Sequence, residues 1–168
     1  MRTDLFRVLT DTPGRLAIAP RPRGGDWLDD ELTAWRRAGI EVIVSLLTPS
    51  EVAELELVDE PELSAAHGMN FISFPIPDYG VPASPDAVAG LAGRIAGNLM
   101  DGKSVLIHCR QGIGRAGLLA SVVLRTLGLD STTAVRTVTT ARGRAVPETP
   151  EQVRWVHDFA PAHTKTGP

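Results

Sequence analysis

The stretch Val105-Leu106-Ile107-His108-Cys109-Arg110-Gln111-Gly112-Ile113-Gly114-Arg115-Ala116-Gly117 decides how this chain is read. Val105 to Ile107, ahead of His108, is a short apolar run of the kind that forms a buried strand. From Gly114 to Leu127 the chain is apolar almost all round, with Leu118, Leu119, Val122, Val123, Leu124 and Leu127, which predicts a central helix with little surface facing solvent. A loop from a strand end to a helix start points several backbone N–H groups into one concavity, and the helix N-terminus adds about half a positive charge. Such a loop is a cradle for an anion. Gly112 and Gly114 permit the backbone angles and close approach it needs, and Arg115 can grip two phosphate oxygens through its planar fork, which Lys cannot do. Arg110, Gln111, Gly112, Ile113 and Gly114 are the remaining members of this phosphate-binding loop.

Cys109 stands at the floor of the cradle. It is the single cysteine of the chain, which excludes an internal disulfide and a multi-cysteine zinc site and points to a reducing compartment. The thiolate is the reactive form of cysteine, and the fields that hold phosphate also stabilise S⁻. In this setting Cys109 reads as a nucleophile rather than as a small buried hydrophobe.

Outward from the loop, Val42 to Leu47 and Phe71 to Ile76 read as further strands, with a weaker one at Leu16 to Ala19. Their apolarity is continuous rather than alternating, as in a sheet covered on both faces. Thr48-Pro49-Ser50-Glu51 and Thr149-Pro150-Glu151-Gln152 each present an N-cap Thr, a Pro at the first helical position and Glu or Gln three residues after the cap. Ser84-Pro85 opens a helix whose Val88, Leu91, Ile95 and Leu99 form one buried stripe, and Asp130 caps another carrying Ala134, Val135 and Val138. The last helix carries Val153, Val156 and Phe159. The expected fold is α/β, one domain over residues 1–168 with its core at about 12–160 and a frayed tail at 161–168. At its centre is a mainly parallel sheet of four or five strands with helices on both faces.

Composition adds bounds. A hydrophobic fraction of 43% and a charged fraction of 22% are those of an ordinary globular protein, and a net charge of -3 gives no general attraction to nucleic acid or anionic lipid. No run of about 18 apolar residues occurs, and MRTDLFRVLT lacks the apolar centre of a secretory signal. The expectation is a cytoplasmic protein without nucleic-acid or membrane partners.

His108-Cys109-x5-Arg115 resembles the phosphate-binding loop of the cysteine-dependent protein-tyrosine phosphatase superfamily. The order of elements is similar to its dual-specificity branch, particularly the kinase-associated phosphatase group. Pro75-Ile76-Pro77-Asp78-Tyr79-Gly80-Val81-Pro82 is similar to that group's acid loop, and Thr149-x-x-Gln152 to its closing helix. The resemblance implies a phosphomonoester hydrolase acting on phosphotyrosine proteins, with phosphoserine and phosphothreonine as further substrates, through a cysteinyl-phosphate and without metal or organic cofactor. It implies Cys109 as nucleophile, Arg115 as phosphate clamp and Asp78 as general acid, a role that suits a residue in a movable Pro- and Gly-rich loop.

His108 is then a supporting residue that orients the loop. Gln152 has two readings, capping-box partner or positioner of the hydrolytic water, and both stay open. Arg110 reads first as a solvated surface arginine. Ala116 departs from the family, which usually has Ser or Thr there; that hydroxyl normally hydrogen-bonds the sulfur as it leaves the phospho-enzyme. Rival classes are a rhodanese-like sulfurtransferase, a non-catalytic phosphate-binding module, and a phosphoinositide or RNA 5′-phosphate phosphatase.

Overall fold

The computed structural model describes residues 4–161; the expected frayed tail falls, but for its first residue, outside them. Five strands form one sheet: β1 (Phe6–Val8), β2 (Leu16–Ala19), β3 (Val42–Ser45), β4 (Asn70–Ser73) and β5 (Val105–His108), in the order β1-β2-β5-β3-β4. β5 pairs in parallel with β2 and β3, and β3 with β4, while β1 runs antiparallel to β2 at one edge. The sheet is thus mainly parallel, as expected, with one antiparallel strand, β1, that the sequence reading did not identify.

Among the described residues seven α-helices accompany it: α1 (Leu28–Arg37), α2 (Pro49–Glu54), α3 (Glu60–Ala66), α4 (Pro85–Met100), α5 (Gly114–Thr126), α6 (Ser131–Arg142) and α7 (Pro150–Asp158). Side chains alternate along each strand, so the central strands feed two cores. Leu16, Ile18, Val42, Val44, Val105 and Ile107 face the larger core, shared with α4, α5, α6 and α7. Ala17, Ala19, Ile43 and Leu106 face the smaller one, closed by Leu28, Leu32 and Trp35 of α1 together with Ile40, Leu57 and Met69. Helices therefore cover both faces. Residues 114–124 of α5 are all buried, which makes it the central helix its composition predicts.

The predicted helix starts are present with their chemistry. Thr48 and Thr149 accept from the backbone N–H of Glu51 and Gln152, and both capping boxes close. Ser84 and Asp130 cap α4 and α6 by the same bond. The predicted strand at 42–47 ends two residues early. Leu46 and Leu47 leave the strand conformation, with the Leu47 N–H reaching the Ser45 hydroxyl.

The strand order puts a topological switch point at the C-terminal ends of β3 and β5. From β3 the chain passes through α2 and α3 to β4, and then returns through α4 to β5 on the other side of β3. The chain leaves β3 on the face of the smaller core and leaves β5 through α5 on the face of the larger one, and such a switch point between neighbouring strands is where open parallel sheets bind ligands.

Candidate active site

Cys109 follows the last residue of β5 and is 3% exposed, with its side chain in the larger core beside Ile113 and Ala116. The loop from Cys109 to Ile113 then turns into α5. Ile113 is the N-cap and provides no side-chain acceptor, so the first N–H groups of α5 have no intrahelical or capping partner and are available to an anion. Gly112 makes the turn: its φ is +68°, and a Cβ there would lie 2.5 Å from the carbonyl carbon of Ala19. No other residue type fits that combination of angle and space.

Arg142, at the end of α6, reaches the loop from behind. Its Nε donates to the carbonyl of Gly112 at 3.0 Å and its Nη2 to that of Gln111 at 3.4 Å. Because a trans peptide points its C=O and N–H in opposite directions, fixing these two carbonyls toward Arg142 turns the N–H groups of Gly112 and Ile113 away from it. The guanidinium also lies 4.0 Å over the ring of Phe6 in β1, a cation–π contact that holds it in place. The unexpected first strand therefore supports the cradle.

Arg115, one residue into α5, is 1% exposed. Its Nη1 and Nη2 meet Glu51 of α2 at 2.8 and 2.9 Å, and Nη1 also donates to the carbonyl of Ile76 at 2.9 Å. Nη2 is 3.1 Å from Asp78. The buried Nε has no hydrogen-bond partner among the described residues. One edge of the guanidinium is thus anchored, while the Nε–Nη2 edge keeps a free donor and a second one shared with Asp78. Burial works against Arg115's charge, but the Glu51 hydrogen bond and the Cys109, Glu51 and Asp78 charges outweigh it and raise its pKa. Burial pushes the Glu51 carboxyl up, but hydrogen bonds from Arg115 and Thr48 and the Arg115 charge bring it down to about 2.

The acid loop is tied at both ends. Ile76 is held by Arg115, and the Gly80 carbonyl accepts from Gln152 Nε2 at 3.0 Å. Between them Asp78 Oδ1 accepts its neighbour Tyr79's N–H at 3.0 Å, and Tyr79 takes the left-handed conformation, φ 58°. The structure therefore brings Cys109, Arg115 and Asp78 into one site. Gln152 is fully buried, and its Oε1 accepts the N–H groups of Glu148 and Thr149. Its amide closes the cap and fastens the acid loop, and Gly114 gives it room: a Cβ there would stand 3.0 Å from Oε1.

Of the remaining predicted residues, Arg110 pairs with Glu54 at 3.3 Å and keeps a partly exposed side chain, and Gln111 is exposed. His108 is fully buried on the opposite face of the sheet from Cys109, 2.7 Å from Glu60. Ala116 is buried in the first turn of α5. Three contributors were not singled out from sequence: Glu51, which reads locally as a capping residue, and Arg142 and Glu60.

A cysteine under an uncapped helix N-terminus, a fixed arginine fork and an aspartate on a tethered loop form an arrangement with the chemistry to hold and attack a phosphate ester. The chain belongs to the dual-specificity/protein-tyrosine phosphatase family: residues 6–167 match the domain described as "PTP-SAK: Swiss Army Knife protein, DSP-PTPase phosphatase domain". It is similar to cyclin-dependent kinase inhibitor 3 of Rattus norvegicus, with 25% identity over 126 residues, 74% of this chain and 59% of that protein. The chain thus spans about three fifths of the length of that relative. The fold superposes on kinase associated phosphatase with its catalytic cysteine changed to serine, at a TM-score of 0.87 and 19% identity, covering 95% of this chain and 94% of that one. It also superposes on Tk-PTP in its active form, at 0.73 and 27% identity, covering 92% and 98%.

Proposed function

We propose that this chain hydrolyses phosphate monoesters on proteins, phosphotyrosine first and phosphoserine or phosphothreonine as well, through a cysteinyl-phosphate on Cys109. The observation that carries the reading is the Nε of buried Arg115, which has no partner among the described residues and is held beside the nucleophile by the opposite anchoring of its guanidinium on Glu51. A phosphoryl group in the cradle accepts from that Nε and from Nη2, together with the N–H groups turned away from Arg142.

In the first step the Cys109 thiolate attacks phosphorus in line. The S–P bond forms, the P–O bond to the leaving group breaks, and Asp78 gives its proton to the departing oxygen. In the second, water attacks phosphorus and the S–P bond breaks. The proton of water passes to the Asp78 carboxylate, leaving inorganic phosphate and a restored thiolate. Gln152 and Arg115 keep the acid loop over the site during both steps.

The test is hydrolysis of an aryl phosphate and of a panel of phosphotyrosine, phosphoserine and phosphothreonine peptides, with phosphoinositides and RNA 5′-phosphates alongside. Metal-free turnover of the peptides supports the reading. Turnover confined to the lipids or the RNA, or none with sulfur transfer from thiosulfate, contradicts it.

A further inference from the structure

The second buried carboxylate near the loop, Glu60, has no part in the phosphate chemistry described above, although its partner immediately precedes the nucleophile. Glu60 opens α3, and its Oε1 lies 2.7 Å from His108 Nε2, with the two side chains 1% and 0% exposed. An ionised carboxylate only accepts hydrogen bonds, so Nε2 carries the proton of this bond and the ring's orientation is fixed. The other polar atoms, Glu60 Oε2 and His108 Nδ1, have no partner among the described residues.

The ring's described neighbours in the sheet, in α1 and one turn along α3 are uncharged. In the sheet β2 pairs Ala19 with His108, and β3 pairs Ser45 with it. The Trp35 ring of α1 packs at 5.8 Å and 42°. α3 contributes Glu60 and, one turn later, buried Ser64. Among the described residues Glu60 is therefore the carboxylate that faces His108, and a carboxylate held away from water makes a strong, charge-assisted hydrogen bond to the ring N–H. Cys109, the next residue, is faced from its own side by the charges of Arg115 and Arg142, with Asp78 opposing them at the loop.

We propose that Glu60 is a positioning residue for the nucleophile: through the buried, charge-assisted His108–Glu60 bond it fixes the ring immediately before Cys109, favouring the thiolate. This deepens the phosphatase reading and rests on it for its catalytic meaning.

The test reads the thiol itself. The rate of Cys109 alkylation by iodoacetamide is followed against pH in the parent, in Glu60→Gln, in His108→Asn and in the double variant. Glutamine keeps the shape and an acceptor for Nε2–H but removes the charge. In Glu60→Gln the pH midpoint of alkylation rises by about one unit, roughly a tenfold slower reaction well below the midpoint, and in the His108→Asn background Glu60→Gln adds nothing.

A Glu60→Gln profile that coincides with the parent's, with only thermal stability lowered, would mean that Glu60 merely fastens α3 to the sheet. A shift that persists without His108 also overturns the proposal. Should Glu60→Gln fail to fold, Glu60→Asp carries the test. Keeping the charge on a shorter arm, it retains the parental midpoint, whereas a raised midpoint would show that shape rather than charge is transmitted. Alkylation occurs whether or not the chain hydrolyses esters, so failure here is separate from failure of the phosphatase reading.

Discussion

Glu51 holds Arg115 by two charge-assisted bonds, 2.8 and 2.9 Å long, across 64 residues of chain. The same carboxylate closes the capping box of α2 by accepting from the Thr48 N–H at 2.9 Å. One side chain therefore starts a helix and fixes the phosphate clamp. Its pKa of about 2 lies below the 4.5 of a free glutamate. As pH falls the unfolded chain binds the proton first, so the stabilisation is complete above about 4.5 and disappears by about 2, a contribution on the order of 3 kcal/mol. Unfolding free energy from urea titrations should fall with pH through that window. In Glu51→Gln the fall should be shallower, and parallel curves would show that Glu51 does not carry it.

Arg142→Lys should weaken oxyanion binding without unfolding the chain. A lysine cannot reach both the Gly112 and Gln111 carbonyls through a rigid fork, so the loop amides lose their orientation. Loss of about 1–3 kcal/mol of hydrogen bonding corresponds to roughly 5- to 150-fold weaker inhibition by inorganic phosphate or vanadate. Unchanged inhibition would mean that the loop holds its shape unaided.

These two residues show where the sequence could be read and where it could not. The strand–loop–helix at 105–126, the apolar stripe of α4 and the Thr-Pro starts of α2 and α7 are local patterns, and periodicity and capping chemistry reveal them. Arg142 meets the loop from 30 residues away, and Glu60 meets His108 from 48. Those pairings follow from which helix lies on which face of the sheet, and nothing local encodes it. Glu51 was visible only in its capping role because that role already accounts for its spacing. β1 escaped because Phe6-Arg7-Val8 is three residues long, an edge strand whose ring serves Arg142. Of the two readings of Gln152 the structure shows the capping box, and it adds a bond from the same amide to the acid loop.

Asp78→Asn should slow hydrolysis most for esters with poor leaving groups, where protonation of the leaving oxygen matters most. Plotting kcat/KM against leaving-group pKa for a series of aryl phosphates checks this. A parallel line for the variant would reduce Asp78 to its structural bonds with Tyr79 and Arg115.

Ala116 separates the two chemical steps. A hydroxyl at this position would stabilise the departing sulfur, and one charge-assisted hydrogen bond of ~1.5–3 kcal/mol changes a rate by about 10- to 150-fold. Breakdown of the phospho-enzyme should therefore limit turnover, giving a burst of phenol before a slower steady rate. Ala116→Ser should raise the steady rate and change the burst much less. Equal effects on both phases would place the slow step before the intermediate.

The central claim is that Cys109 takes the phosphoryl group onto its sulfur, and acid-quenched mass spectrometry of the chain during turnover of an aryl phosphate tests it most directly. A phosphate adduct is expected on the peptide carrying Cys109, absent in Cys109→Ser, with the serine variant still binding the ester. An adduct on any other residue, or steady hydrolysis by Cys109→Ser without metal, would contradict it.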